Sequence, residues 1–185
     1  MDDERIIVLF YARSEQAISA LDGKYGRAVR RVAVNILDNE QDAEECVNDA
    51  YLGAWNTIPP QRPERLGAYV CRIARNLAVK RYHANTAQKR NSFYDAALDE
   101  LAESIPARED IQSALEAKEL AAAINAFLDG LGYEDAFIFL RRYWYADSVS
   151  DIAAMMGVSR RRVTVRLFHT REKLKKYLMK EGMLI

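Results

Sequence analysis

The stretch from Ser148 to Tyr177, SVSDIAAMMGVSRRRVTVRLFHTREKLKKY, constrains the fold more than any other part of the chain. Ile152, Met155 and Met156 recur at helical spacing, and Ala153 is small enough for a second helix to come close. Gly157 falls where the chain must turn, because glycine visits left-handed backbone angles at little cost. Ser159 is placed to cap the next helix, whose apolar stripe is Val163, Leu167, Leu174 and Leu178. This pattern predicts a helix-turn-helix. Arg160, Arg161, Arg162 and Arg166 crowd the start of the second helix, where a recognition helix meets base edges and phosphates in the major groove. A merely solvated helix end is the bland alternative. Three cations at a helix N-terminus oppose the helix dipole, so the cluster points instead to nucleic acid.

Helical periodicity runs through almost all of the remaining sequence, and strand signals are nearly absent. Ile18, Leu21, Tyr25, Val29, Val32 and Ile36 mark a first long helix. Asn39 opens a second, rich in glutamate near its start and ended by Pro59-Pro60. A third runs from about Glu64 to Ala84, with Leu66, Val70, Ile73 and Leu77 as its stripe. Residues 85–112 pattern weakly and are acidic, which predicts a linker holding at most one short helix. Strong periodicity resumes from Ile111 to Leu131 and again from Glu134 to Tyr145. The expected architecture is all-α, with one module over residues 1–84, the linker, and a second module over 113–185.

The formal net charge of zero hides a strong alternation. Residues 23–37 carry +4, 38–58 carry −6, 59–94 carry +7, 95–121 carry −6 and 159–185 carry +7. Separate basic blocks predict separate nucleic-acid surfaces, with acidic surfaces left for another purpose. The cancelling charge also predicts weak DNA binding by the isolated chain. Cys46 and Cys71 have no metal-ligand spacing and only His83 and His169 to join them, so reduced structural thiols are expected. No apolar run approaches the roughly 20 residues that span a bilayer. An acidic N-terminus does not suit a signal peptide, so a cytoplasmic protein is expected.

On a helical wheel, Ala43, Val47, Ala50, Ala54 and Ile58 share one side of the second helix, with Tyr51 and Trp55 at its edge. Asp42, Glu45, Asp49, Leu52 and Asn56 share the opposite side. A leucine among carboxylates fits docking onto a basic partner helix, and a solvated face with one stray leucine fits equally well. The third helix presents Arg72, Arg75, Asn76, Val79 and His83, flanked by Lys80 and Arg81. Tyr69 and Tyr82 could stack on single-stranded bases or serve as core.

NEQDAEECVNDAYLGAW, AYVCRIARNLA and SVSDIAAMMGVSRRRVTVRLFHTREKL, in that order, closely resemble the extracytoplasmic-function sigma factors of bacterial RNA polymerase. The resemblance covers residues 16–84, similar to sigma region two, and 113–178, similar to sigma region four. It implies a promoter-specificity subunit with no catalytic activity and no cofactor, whose partners are polymerase core, promoter DNA and an anti-sigma protein. By resemblance, Asp42, Glu45, Asp49, Leu52 and Asn56 would dock on the coiled coil of the polymerase's largest subunit. Thr57, Ile58, Gln61 and Arg62 match the loop that captures a flipped minus-ten base. Arg72, Arg75, Asn76, Lys80 and His83 match the helix that follows the minus-ten strand. Ser159, Arg160, Arg161, Arg162, Thr164, Val165, Arg166 and Phe168 match the minus-thirty-five reader. Two positions depart from the pattern: Lys80 replaces a common aspartate, and Arg162 replaces a small residue or threonine, so the minus-thirty-five sequence does not follow by analogy.

The competing reading is a stand-alone helix-turn-helix regulator that binds operator DNA directly, usually as a symmetric dimer. A basic helix beside an acidic one in the first module argues for the sigma reading, since a sensor domain needs neither. No glycine-rich phosphate loop, nucleophile triad or metal spacing supports an enzyme.

Overall fold

A computed structural model describes residues 2–85, 93–102, 104–105 and 114–183. The described residues are helical with turns and contain no strand. The chain divides into two compact units, Met1–Ser92 and Phe93–Ile185.

The first unit holds α1 (Asp3–Tyr11), α2 (Gln16–Leu37), α3 (Glu40–Thr57) and α4 (Leu66–Asn85). Helix α1 was not foreseen. Asp2 caps it by accepting from the Arg5 amide at 2.9 Å, and Ile6, Ile7 and Phe10 are buried along one face. The Tyr25 hydroxyl donates to Asp3 at 2.6 Å and Lys24 pairs with the same carboxylate at 2.5 Å, tying α2 to α1. Helix α3 follows its wheel: Ala43, Val47, Ala50, Ala54 and the following Ile58 are all buried.

Helix α4 differs from its expected stripe. Leu66 and Val70 are buried, but the row continues through Cys71, Ala74 and Ala78, while Ile73 and Leu77 sit half-buried at the edge. The reason is steric. Helix α4 packs against both α2 and α3, and small residues on the central face let it approach the two together. A Cβ at Gly67 would lie 2.5 Å from the Tyr25 ring, and one at Gly53 only 3.1 Å from Ile73 Cγ2. At those two glycines α4 comes close against α2 and α3.

The second unit holds α5 (Phe93–Ala102), α6 (Ala114–Asp129), α7 (Tyr133–Tyr143), α8 (Val149–Met156) and α9 (Arg160–Lys180). Its core joins Ala97, Phe127, Ile138, Phe139, Ile152, Val163, Leu167, Leu174 and Leu178. The predicted stripe of α9 is therefore buried in full. In α8, Ile152 and Ala153 turn inward, whereas Met155 stays 42% exposed because the helix is short and buries only a narrow side.

The second unit begins earlier than the sequence reading placed it. Helix α5 lies inside the expected linker, yet its Tyr94 and Ala97 are buried and it packs on α7. Glu100 accepts from Arg142 Nη2 at 2.7 Å and Nε at 3.2 Å and from the Tyr143 hydroxyl at 3.1 Å, with Arg171 at 3.5 Å. One acidic residue thus answers two arginines that the rest of the unit half or fully buries. Linker positions 86–92, 103 and 106–112 lie outside the described residues.

Candidate docking and nucleic-acid surfaces

Helix α3 owes its start to Asn39, whose side chain accepts from the Asp42 amide at 3.1 Å. From there Asp42, Glu45 and Asp49 rise along one face, followed by Leu52 at 57% exposure and by exposed Asn56. The five residues expected on that face are together on it. A sixth residue, missed in the sequence, joins them: Arg81 of α4. Its guanidinium lies 2.8 Å from Glu45, 3.6 Å from Asp42 and 4.0 Å from Asp49, and it also donates to the Asp42 carbonyl at 3.2 Å. Asn85 adds a hydrogen bond to the Asp42 carboxylate at 3.2 Å. No local spacing links position 81 to position 42, so only the packing of α4 on α3 reveals it. Leu52 has no such cover.

Beyond α3, the expected loop residues part company. Gln61 is exposed, and Arg62 is exposed but pairs with Glu4 of α1 at 2.6 Å. The Thr57 hydroxyl donates to the Gly53 carbonyl at 2.7 Å and accepts from the Tyr69 hydroxyl at 2.8 Å. Ile58 corrects the sequence reading: it is fully buried, so its side chain anchors the loop and presents nothing to a ligand. Its inward place follows from the same wheel that aligned it with Ala54.

On α4, Arg72, Asn76, Lys80 and His83 are exposed and Arg75 is half-buried, which gathers the five expected residues along one helix. The Arg72 guanidinium lies over the Tyr69 ring, 5.3 Å from its centre, so Tyr69 is held by Arg72 and Thr57 at the junction of loop and helix. Tyr82 packs edge-on to His83 with ring centres 5.7 Å apart. Both cysteines are buried free thiols. Burial pushes the Cys46 thiol up to about 11, and its Sγ points at the Ala74 carbonyl at 3.3 Å. Burial, and then the bond it donates to Asp22 at 2.7 Å, raises the Tyr51 hydroxyl as well.

In the second unit the helix-turn-helix has the expected punctuation. Ser148 caps α8 by accepting from the Asp151 amide at 3.1 Å, Gly157 turns at φ 64°, and Ser159 caps α9 by accepting from the Arg162 amide at 3.2 Å. Arg160 and Arg161 are exposed. Arg161, Val165 and Phe168 follow one another at intervals of four and three, and the last two are 45% and 52% exposed. That is an arginine followed by an apolar strip, a surface able to meet a guanine edge and thymine methyls. The Thr164 hydroxyl bonds back to the Arg160 carbonyl at 3.1 Å. Arg162 and Arg166 differ from Arg161. Arg166 reaches Glu134 and Asp135 of α7, each at 2.7 Å, and Arg162 lies 3.6 Å from Glu134. Among the described residues, no three His, Cys, Asp or Glu side chains are placed to hold a metal, and no helix is long and apolar enough to cross a membrane.

The acidic face of α3, the basic α4 packed against it and the α2 scaffold fall within one family match: residues 21–88 match sigma-70 region 2. The first unit therefore carries a sigma-70 region 2 match. The match begins within α2 and runs past the end of α4, leaving α1 as an additional helix docked on the matched part. A comparison with curated proteins gives no match. Among solved structures the chain is similar to the one described as "Structure of CnrH in complex with the cytosolic domain of CnrY", at 20% identity and a TM-score of 0.45, over 96% of this chain and 97% of that one.

Proposed function

We propose that the chain is a sigma factor of the extracytoplasmic-function group, a cytoplasmic, non-enzymatic promoter-specificity subunit of RNA polymerase. The observation that carries the reading is the sigma-70 region 2 match on the first unit, followed in the same chain by a helix-turn-helix whose second helix leads with exposed arginines. Asp42, Glu45, Asp49, Leu52 and Asn56 would dock on the basic coiled coil of the polymerase's largest subunit. Leu52 supplies the apolar anchor and the carboxylates supply register and steering. Gln61 and Arg62 would meet the minus-ten element at the loop, which Thr57 and Ile58 shape from beneath. Arg72, Arg75, Asn76, Lys80 and His83 would follow the strand backbone. Ser159 to Phe168 would enter the minus-thirty-five major groove, with Arg161 reading a base.

Region two opposes +7 over residues 59–94 with −6 over 38–58, so the free chain has little net field to draw DNA. Core polymerase, by covering the acidic face, leaves the basic one dominant. The test is a gel shift on promoter fragments with and without core, followed by run-off transcription to map start sites. Core-dependent binding supports the reading. Tight, sequence-specific binding by the isolated chain would favour the stand-alone regulator. The family resemblance also implies an anti-sigma protein, and co-purification from the native host tests that partner.

A further inference from the structure

The recognition helix does not present its arginines equally. Arg160 and Arg161 have no carboxylate within ion-pair distance among the described residues, whereas Arg162 and Arg166, one turn apart on a neighbouring face, are both turned to the start of α7. Arg166 spends both terminal nitrogens there, Nη2 on Glu134 Oε2 and Nη1 on Asp135 Oδ1, each at 2.7 Å, and its side chain is only 30% exposed. Glu134 is shared, lying 3.6 Å from Arg162 Nη2. The two acids sit in the first turn of α7, where the positive end of the helix dipole holds them independently of the arginines. They are therefore fixed negative charges against which mobile guanidinium groups are parked.

We propose that Glu134 and Asp135 act as an electrostatic brake on the recognition helix. By holding Arg162 and Arg166 they limit how many phosphates α9 neutralises, so duplex affinity stays low and discrimination falls to Arg160 and Arg161. The inference rests on the reading of α9 as the DNA-facing helix. A phosphate contact made by an arginine adds sequence-independent affinity, and each one adds about 0.9 to the slope of log affinity against log salt. An arginine already neutralised by a fixed carboxylate contributes neither. A helix restrained in this way gains less on random DNA, which is what a promoter reader positioned by its polymerase requires.

The experiment measures binding of the full-length chain to a labelled random-sequence duplex by fluorescence anisotropy across a salt series. Glu134→Gln should raise affinity roughly tenfold at low salt and steepen the log–log salt slope by about 1, the signature of one recovered phosphate contact. Asp135→Asn should act in the same direction and less strongly, because Arg162 stays tied to Glu134. Adding Arg162→Gln to Glu134→Gln should remove most of the gain, because Arg166 keeps Asp135 when Glu134 is neutralised, and this separates release of Arg162 from a general loss of negative charge. Unchanged or weaker binding by both single variants, with thermal unfolding as in the parent, overturns the brake and makes the acids positioning groups for Arg166. The double change Arg160→Ala, Arg161→Ala tests the underlying reading on its own. If it leaves binding untouched, α9 is not the DNA-facing helix, and that failure is distinct from failure of the brake.

Discussion

Replacing Glu100 by alanine should uncouple α5 from the second unit. Arg142 is 4% exposed and loses a bidentate carboxylate partner, keeping its bond to the Asp147 carbonyl at 3.2 Å. Arg171 and the Tyr143 hydroxyl lose the same acceptor. Removing one partner of a buried ion pair costs about 3–5 kcal/mol. Glu100 is itself a third exposed, so water can reach the arginines from that side, and about 2–3 kcal/mol is the discounted expectation. The chain offers a reporter for each unit, since its two tryptophans, Trp55 and Trp144, fall one in each. In a Trp55→Phe background, urea unfolding followed by Trp144 fluorescence should shift its midpoint downward by roughly 1–2 M, given slopes near 1–3 kcal/mol per molar for small domains. In a Trp144→Phe background, the Trp55 transition should stay where it was. An unshifted Trp144 transition would refute the assignment of α5 to the second core and return residues 93–102 to the linker.

Four further outcomes rest on the same geometry. Changing Asp49 to Lys and Leu52 to Ala together should reduce binding to polymerase core at least thirtyfold while leaving unfolding unchanged, since both side chains are more than half exposed; undiminished co-purification with core would exclude α3 as the docking face. With its thiol pushed up to about 11, Cys46 stays protonated and shielded, so native protein should resist alkylation at pH 8 while unfolded protein reacts. The same shift favours the fold below pH 9.0 and is lost as pH rises toward about 11, so the parent should lose stability relative to Cys46→Ala across that interval in pH-dependent urea melts. Ser159→Ala should cost about 1 kcal/mol by removing the acceptor for the Arg162 amide, read as a lowered Trp144 midpoint with Trp55 unaffected.

What the sequence determined by itself was local. The 3.6-residue period placed α2, α3, α6, α7, α8 and α9, and the turn and caps around Gly157 and Ser159 were legible because the chemistry that terminates helices lies within a few residues of the helix end. The wheel of α3 sorted its buried side from Asp42, Glu45, Asp49 and Leu52 for the same reason. Tertiary structure decided what depends on residues far apart. Helix α4 turned Ala74 and Ala78 inward and left Ile73 and Leu77 at the edge, because two neighbouring helices, not one, set how close it must come. Helix α5 became part of a core because Arg142 and Arg171 stand 42 and 71 positions further along the chain from Glu100 and need its carboxylate. The charged surfaces changed most. A charge count treats Arg81, Arg162 and Arg166 as free cations, but packing sets each beside fixed carboxylates, and a salt bridge between distant segments leaves no periodic trace in the sequence.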